Sequence, residues 1–188
     1  MLNHTGTTVI ETARLILRPF RIGDASQMYQ NWATDGEVTQ YLTWSAHESI
    51  EVTKTILNLW MESYLDHEFY QWAVELKETQ EVIGSISLMN IDNHNEKGEI
   101  GYCIGKAWWN QGIMTEALRA ILDTSFNQIG FNRIMARHHI DNKASGQVMQ
   151  KCGLSYEGTL RKVSKNNQGE FIDCKYYAIL KEEYGTHF

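Results

Sequence analysis

The sequence predicts an α/β chain, an α+β mixed sheet with helices on both faces, and three observations carry that reading. Short runs of alternating apolar residues follow one another through the first half, as a meander does. The second half alternates strand, helix, strand, helix. Two strand-to-helix junctions open those helices: Trp109-Asn110-Gln111-Gly112-Ile113-Met114-Thr115-Glu116-Ala117 and Asp141-Asn142-Lys143-Ala144-Ser145. A meander gives antiparallel neighbours, whereas a strand–helix–strand crossover gives a parallel pair, so the sheet must be mixed.

Each element has its own signal. Arg14-Leu15-Ile16-Leu17-Arg18 alternates charged and apolar and is closed by Pro19, the only proline. Gly23-Asp24 starts a helix through Met28, Tyr29 and Trp32. A second helix, about His47 to Leu65, carries Ile50, Ile56, Leu57, Trp60, Met61 and Tyr64 near helical spacing. Strands are expected from Phe69 to Leu76 and Glu81 to Met89, joined by a turn at Glu78-Thr79-Gln80, with Val82, Gly84, Ile86 and Leu88 on one face. The fourth strand is Glu99–Ile104. The helix from Gly112 to about Asn127 turns Ile113, Ala117, Ile121 and Leu122 inward. Arg133–Ile140 is the fifth strand, with Ile134, Ala136 and Ile140 facing the core. Asn142 to Cys152 is a helix ended by Gly153. A last hairpin, Ser155–Lys165 and Glu170–Leu180, turns on Asn166-Asn167-Gln168-Gly169.

Composition narrows the function. The 188 residues are expected to form one domain, 1–188. A net charge of −6 argues against nucleic acid or an anionic membrane as partner and mildly favours a cationic one. Cys103, Cys152 and Cys174 are odd in number, show no Cys-x-x-Cys spacing, and fit a reduced, cytoplasmic setting. Met1–Glu11 has neither a basic start nor a long apolar run, so no signal peptide is expected. No stretch approaches the length of a membrane span. His138-His139 with Cys103 does not make a metal site, because adjacent residues on a strand point to opposite faces.

A helix that opens at Gly112 presents unpaired N–H groups and the positive end of its dipole, a seat for a pyrophosphate that needs no lysine. Gly112 belongs to no G-x-G-x-x-G or P-loop pattern, which argues against a dinucleotide or ATP. An Asn at the next junction suggests a long phosphorylated cofactor held between two neighbouring strands.

On three sets of residues the chain resembles the GNAT acyltransferase superfamily, in its ribosomal-protein-alanine N-acetyltransferase (RimJ/RimL-like) branch. Thr12-Ala13-Arg14-Leu15-Ile16-Leu17-Arg18-Pro19-Phe20 with Asp24-Ala25 resembles that branch's first strand and turn. Glu99-Ile100-Gly101-Tyr102 and Gly112-Ile113-Met114-Thr115-Glu116-Ala117-Leu118 resemble its cofactor strand and phosphate loop. Asn142-x-x-Ser145, Val148-Met149-x-Lys151-Cys152-Gly153-Leu154 and Glu157-Gly158 complete the match. Asn110 stands where the family usually has glycine, and Asn tolerates positive φ. Trp109 stands where Arg or Gln is common.

The resemblance implies a GNAT-like fold, a mostly antiparallel sheet with splayed parallel strands 4 and 5. It also implies direct acetyl transfer from acetyl-CoA to a primary amine, without a metal. A protein or peptide N-terminus comes first as acceptor, a small amine or amino-sugar antibiotic second. A non-catalytic CoA-binding module is the alternative from another class. Cofactor contacts are expected from Asn110, Gln111, Gly112, Ile113, Met114 and Thr115, from the open edge Tyr102-Cys103-Ile104, and from Asn142 and Ser145. An edge N–H would also hold the developing oxyanion.

Asn142 is equally suited to capping its helix. Ser145 is either the group that protonates the departing thiolate or a first-turn serine facing solvent. Glu99, His139 and His138 are candidate bases acting through water, each with a structural alternative. A related branch uses a helical Tyr as acid; Met149 stands there, so that role is not carried over. Trp32, Trp44 and Trp60 either fill the core or line an acceptor groove, and a homodimer is open.

Overall fold

A single eight-stranded sheet organises the computed structural model, which describes residues 1–187, in the order β1-β2-β3-β4-β5-β6-β8-β7. The strands are β1 (Ile10–Glu11), β2 (Leu15–Pro19), β3 (Tyr70–Leu76), β4 (Val82–Asp92), β5 (Lys97–Ile104), β6 (Arg133–His139), β7 (Ser155–Lys165) and β8 (Phe171–Leu180). Every neighbouring pair is antiparallel except β5 and β6. The expected strands 4 and 5 are therefore β5 and β6, renumbered because Ile10–Glu11 pairs with Leu17 and Ile16 as an extra edge strand.

Helices cover both faces. On one lie α1 (Ala25–Met28), a π-helical turn over Tyr29–Ala33, α2 (Gly36–Thr39) and α3 (Ile50–Ser63). Their apolar side chains Met28, Trp32, Val38 and Leu57, with Phe20 from the loop after β2, pack on Ala73 and Val82. On the other face α4 (Ile113–Asp123) and α5 (Lys143–Lys151) set Ile113, Ala117, Ile121, Leu122 and Met149 against Leu15, Leu17, Trp72, Ile86 and Ile134. A final helix, α6 (Lys181–His187), follows β8.

Two expected faces differ from the structure. The register of β3 on β4 shifts between Val74 and Glu75, so Val74 pairs with Gly84 but Glu75 with Val82. One extra residue reverses the alternation, and Val82 packs with Trp32 while Ile83, Ile86 and Leu88 share the opposite core. At the other end β6 stops at His139, so Ile140 is exposed and His138 is the buried residue following Ala136.

Inside the helical face, Arg18 is almost fully buried. Its Nη1 and Nη2 donate to the two carboxylate oxygens of Asp24 at 2.8 and 2.9 Å, and its Nε donates to Glu75 at 2.5 Å. Asp24 also accepts the Arg21 N–H at 2.8 Å, which ties the chain entering α1 to β2. The bond to Asp24 raises the Arg18 pKa, burial opposes it, and Glu75 raises it further, so the guanidinium stays charged.

Candidate active site

β5 and β6 pair only over Lys97–Ile100 and Arg133–Ala136. Beyond Ile100 they separate, because β5 continues against β4 and β6 continues against β8. Strand geometry decides which groups face the opening. Gly105 donates its N–H to Ile83 O across β4, so alternation commits the Cys103 backbone to Ser85 and turns the N–H and C=O of Tyr102 and Ile104 into the wedge. The indole of Trp109 already donates to Ile104 O at 2.9 Å. The Tyr102 N–H points at the space between the strands.

The wedge leads to the start of α4. Asn110 and Gly112 both take left-handed conformations, φ 60° and 74°, and bring the chain round into the helix. Gly112 is required by that conformation, since a Cβ there would approach only Arg14, at 3.8 Å. No side chain caps this end, and the first backbone bond closing on it is Glu116 N–H to Gly112 O. The N–H groups of Ile113, Met114 and Thr115 are thus the uncapped donors of an eleven-residue helix.

Arg14, given no site role from its position in sequence, holds this loop. Its Nε donates to Glu116 at 2.6 Å and its Nη1 to Gln111 O at 3.0 Å. Burial pushes the Glu116 carboxyl up, but bonds from Thr12 and Arg14 outweigh it and hold the group below its ordinary value of 4.5. A depressed carboxylate stabilises the fold fully above its unfolded pKa and loses that contribution as pH falls through the folded value. Thermal melts from pH 6 to pH 3 should therefore show Glu116→Gln less stable by about 1 kcal/mol near pH 6, with the gap closing as pH falls below the ordinary value of 4.5.

A cleft of about 620 Å³ runs from Asn110, Gly112 and Thr115 past Val148 and Lys151 to Asn142, Ser145 and Tyr102. A second cavity, about 440 Å³, lies between the N-terminal helices and the face of the sheet at β3 to β6, lined by Trp32, Trp44, His47, Trp60, Glu99 and Arg137. Tyr41, Leu42, Tyr102, Cys103, Asn142 and Ser145 line both. The two cavities meet at those residues.

At that junction Ser145 Oγ donates to the Tyr102 hydroxyl at 3.0 Å, and the Tyr102 hydroxyl donates to Ser145 O at 2.9 Å. Burial raises the Tyr102 pKa, against the bond from Ser145, so the phenol keeps its proton. Asn142 Oδ1 accepts the Ser145 N–H at 3.2 Å, so the capping role is present, and the residue still lines both cavities. The Cys103 thiol lies 3.4 Å from Ser85 Oγ, and burial raises its pKa.

The candidate bases are placed differently from one another. Glu99 is nearly buried; Arg137 Nε lies 2.9 Å from its Oε1, and Asn90 donates to Oε2 at 3.0 Å. The ring of His139 stacks on Tyr41 with centroids 5.1 Å apart, and the Asp141 N–H donates to its Nδ1 at 3.1 Å. In the neutral ring the proton then sits on Nε2. His138 is buried with its Nδ1 bonded to His139 O at 2.7 Å, and burial lowers its pKa. Among the described residues, no three or more His, Cys, Asp and Glu are grouped to hold a metal ion.

A family profile described as an acetyltransferase (GNAT) domain matches residues 14–155, from β2 to the start of β7 and so across the wedge and both junctions. The chain belongs to the GNAT acetyltransferase family. Among its relatives, the uncharacterized N-acetyltransferase p20 of Bacillus licheniformis is 31% identical over 92% of this chain and 96% of that protein. The ribosomal-protein-serine acetyltransferase of Escherichia coli is 32% identical over 51% of this chain and 50% of its own. The crystal structure of a GNAT acetyltransferase from Bacillus anthracis superposes with a TM-score of 0.81 at 26% identity, over 93% of this chain and 99% of that one. This GNAT chain is an acetyl-CoA-dependent N-acetyltransferase with acetyl-CoA as cosubstrate. The uncapped α4 donors and the open β5 edge fit what that cosubstrate presents, a diphosphate and an arm of amides.

Proposed function

We propose that the chain, acting as one unit over residues 1–188, acetylates the α-amino group of a protein or peptide by direct transfer at the junction of the two cavities. The observation that carries this reading is the Tyr102–Ser145 contact, where the cleft from α4 and the cavity beneath the N-terminal helices share one wall. Backbone N–H groups from Gln111 to Thr115, with Asn110 shaping their loop, bind the diphosphate. The edge of Tyr102 and Ile104, with Asn142 opposite, pairs with the pantetheine amides. Cys103 supplies the packed wall between donor and acceptor.

Glu99 accepts, through a water, the proton that the amine gives up. His139 is better placed to hold Tyr41 than to act as base, because Nδ1 is occupied and Nε2 carries the proton of the neutral ring. The amine lone pair forms the C–N bond at the thioester carbon, the Tyr102 N–H takes the growing negative charge on oxygen, and the C–S bond breaks. Ser145 Oγ–H turns from Tyr102 to the departing sulfur, and the second proton, which the nitrogen sheds once the C–N bond has formed, passes through solvent to that sulfur. An α-amino group suits this arrangement, since its pKa near 8 makes deprotonation a small cost. The E. coli relative's name, a ribosomal-protein acetyltransferase, supports a protein acceptor.

Thiol release from acetyl-CoA, with mass detection of product, tests the proposal on matched peptides. A free N-terminus is expected to be acetylated and its N-blocked, lysine-containing counterpart is not. Ser145→Ala should lower kcat by about tenfold to a hundredfold with little change in the KM for acetyl-CoA. Equal turnover of the two peptides would overturn the N-terminal reading.

A further inference from the structure

Arg14 does not line the cleft, yet three of its nitrogens set the charge and shape of the cleft's anion seat. Glu116 stands in the first turn of α4, where a carboxylate is the nearest anion to the uncapped N–H groups. First-turn glutamates reach back to such donors in a capping box. Here the carboxylate is engaged elsewhere. Its Oε1 accepts the Thr12 hydroxyl at 2.6 Å and the Arg14 N–H at 2.8 Å, and its Oε2 accepts Arg14 Nε at 2.6 Å. The chain entering β2 thus takes the helix's own anion and leaves the donors of Ile113, Met114 and Thr115 for another.

The second observation concerns the peptide plane between Gln111 and Gly112. Gln111 O accepts Arg14 Nη1 at 3.0 Å. The peptide is trans, so the Gly112 N–H points opposite to that carbonyl and away from Arg14. Asn110, Gly112 and Ile113 line the cleft whereas Gln111 and Arg14 do not, so this N–H is aimed to the cleft side. With Gly112 next to it, the plane has little steric resistance to turning over. Turned over, it would put a carbonyl where a donor now stands. The Arg14 bond holds it in place.

We propose that Arg14 is a positioning residue for the cosubstrate. It occupies the Glu116 carboxylate and latches the Gln111–Gly112 peptide, so that the start of α4 presents only donors before the diphosphate arrives. Binding then spends nothing on expelling an internal anion or turning a peptide plane. This rests on the placement of the diphosphate at α4 given above, and it assigns to a residue outside the cleft the state of that seat.

Calorimetric titration with three ligands tests it without turnover. CoA carries the diphosphate, dephospho-CoA keeps it but lacks the 3′-phosphate, and pantetheine lacks both. The wild-type protein should bind the first two more tightly than pantetheine. Arg14→Met should lower the ratio of CoA affinity to pantetheine affinity by about tenfold, and dephospho-CoA should fall with CoA. A merely structural role for Arg14 would weaken all three ligands alike and leave the ratio where it was. Should Arg14→Met not fold, Arg14→Lys, whose single Nζ bonds Glu116 or Gln111 O but not both, should lower the same ratio by about threefold. An unaltered ratio in the variant, or a fall for CoA that dephospho-CoA escapes, would overturn the proposal. A wild-type ratio near one would bring down the placement of the diphosphate itself, and the proposal with it.

Discussion

Arg18→Met should destabilise the fold by about 3–5 kcal/mol, because it leaves two carboxylates in a site built around their shared cation. Asp24 loses a two-point bond and Glu75 a third, and both lie largely out of water. Methionine is near enough in size that packing alone cannot account for a loss so large. For a chain of this length the change corresponds to a drop of about 10 °C in Tm. Urea melts check it, and Arg18→Met combined with Asp24→Asn should recover part of the deficit by removing one stranded charge. A loss under about 1 kcal/mol would show that water reaches the carboxylates once the arginine is gone.

Glu99→Gln is expected to have the largest effect on turnover, about a hundredfold on kcat near pH 7 with acetyl-CoA affinity unchanged. The pH dependence separates this from a structural effect. Below the pKa of an α-amine, near 8, most of the acceptor is protonated and a proton must leave before attack. Above it the amine arrives neutral. The variant's deficit should therefore shrink as pH rises past about 8.5, measured by initial rates of thiol release on one peptide. A deficit that is flat across pH would place Glu99 in the positioning of Arg137 and Asn90 rather than in proton transfer.

Much of this was legible in the sequence because it is local. Positive φ at Gly112 and Asn110, the Asn142 cap and the αL turn at Gly153 (φ 82°) each depend on a residue and its near neighbours. The separation of the parallel pair was implied by the family resemblance and is realised because β6 stays on β8 and β5 stays on β4 beyond the last pair of the two, Ile100 with Ala136. What escaped is tertiary. Arg14 reaches Glu116 across 102 residues, and Tyr102 meets Ser145 across 43, so neither pairing leaves a local pattern. The bulge that turns Val82 to the opposite face inserts Ile83 into β4; Gly84 beside it is the one local signal, and a single glycine does not fix where the register slips. Ile10–Glu11 is too short to carry a period. The tryptophans illustrate the limit best. Their spacing fits both a core and a groove, and Trp32 serves both, being buried in the helical core while lining the second cavity.

The central claim is that coenzyme A lies in the wedge between β5 and β6 with its diphosphate on the start of α4. Amide hydrogen exchange with and without CoA reads both contacts in one experiment. The account predicts slowed exchange at Tyr102, Ile104 and Ile113–Thr115, with β1 and α6 unaffected. Protection confined to other segments, or none at saturating CoA, would contradict it.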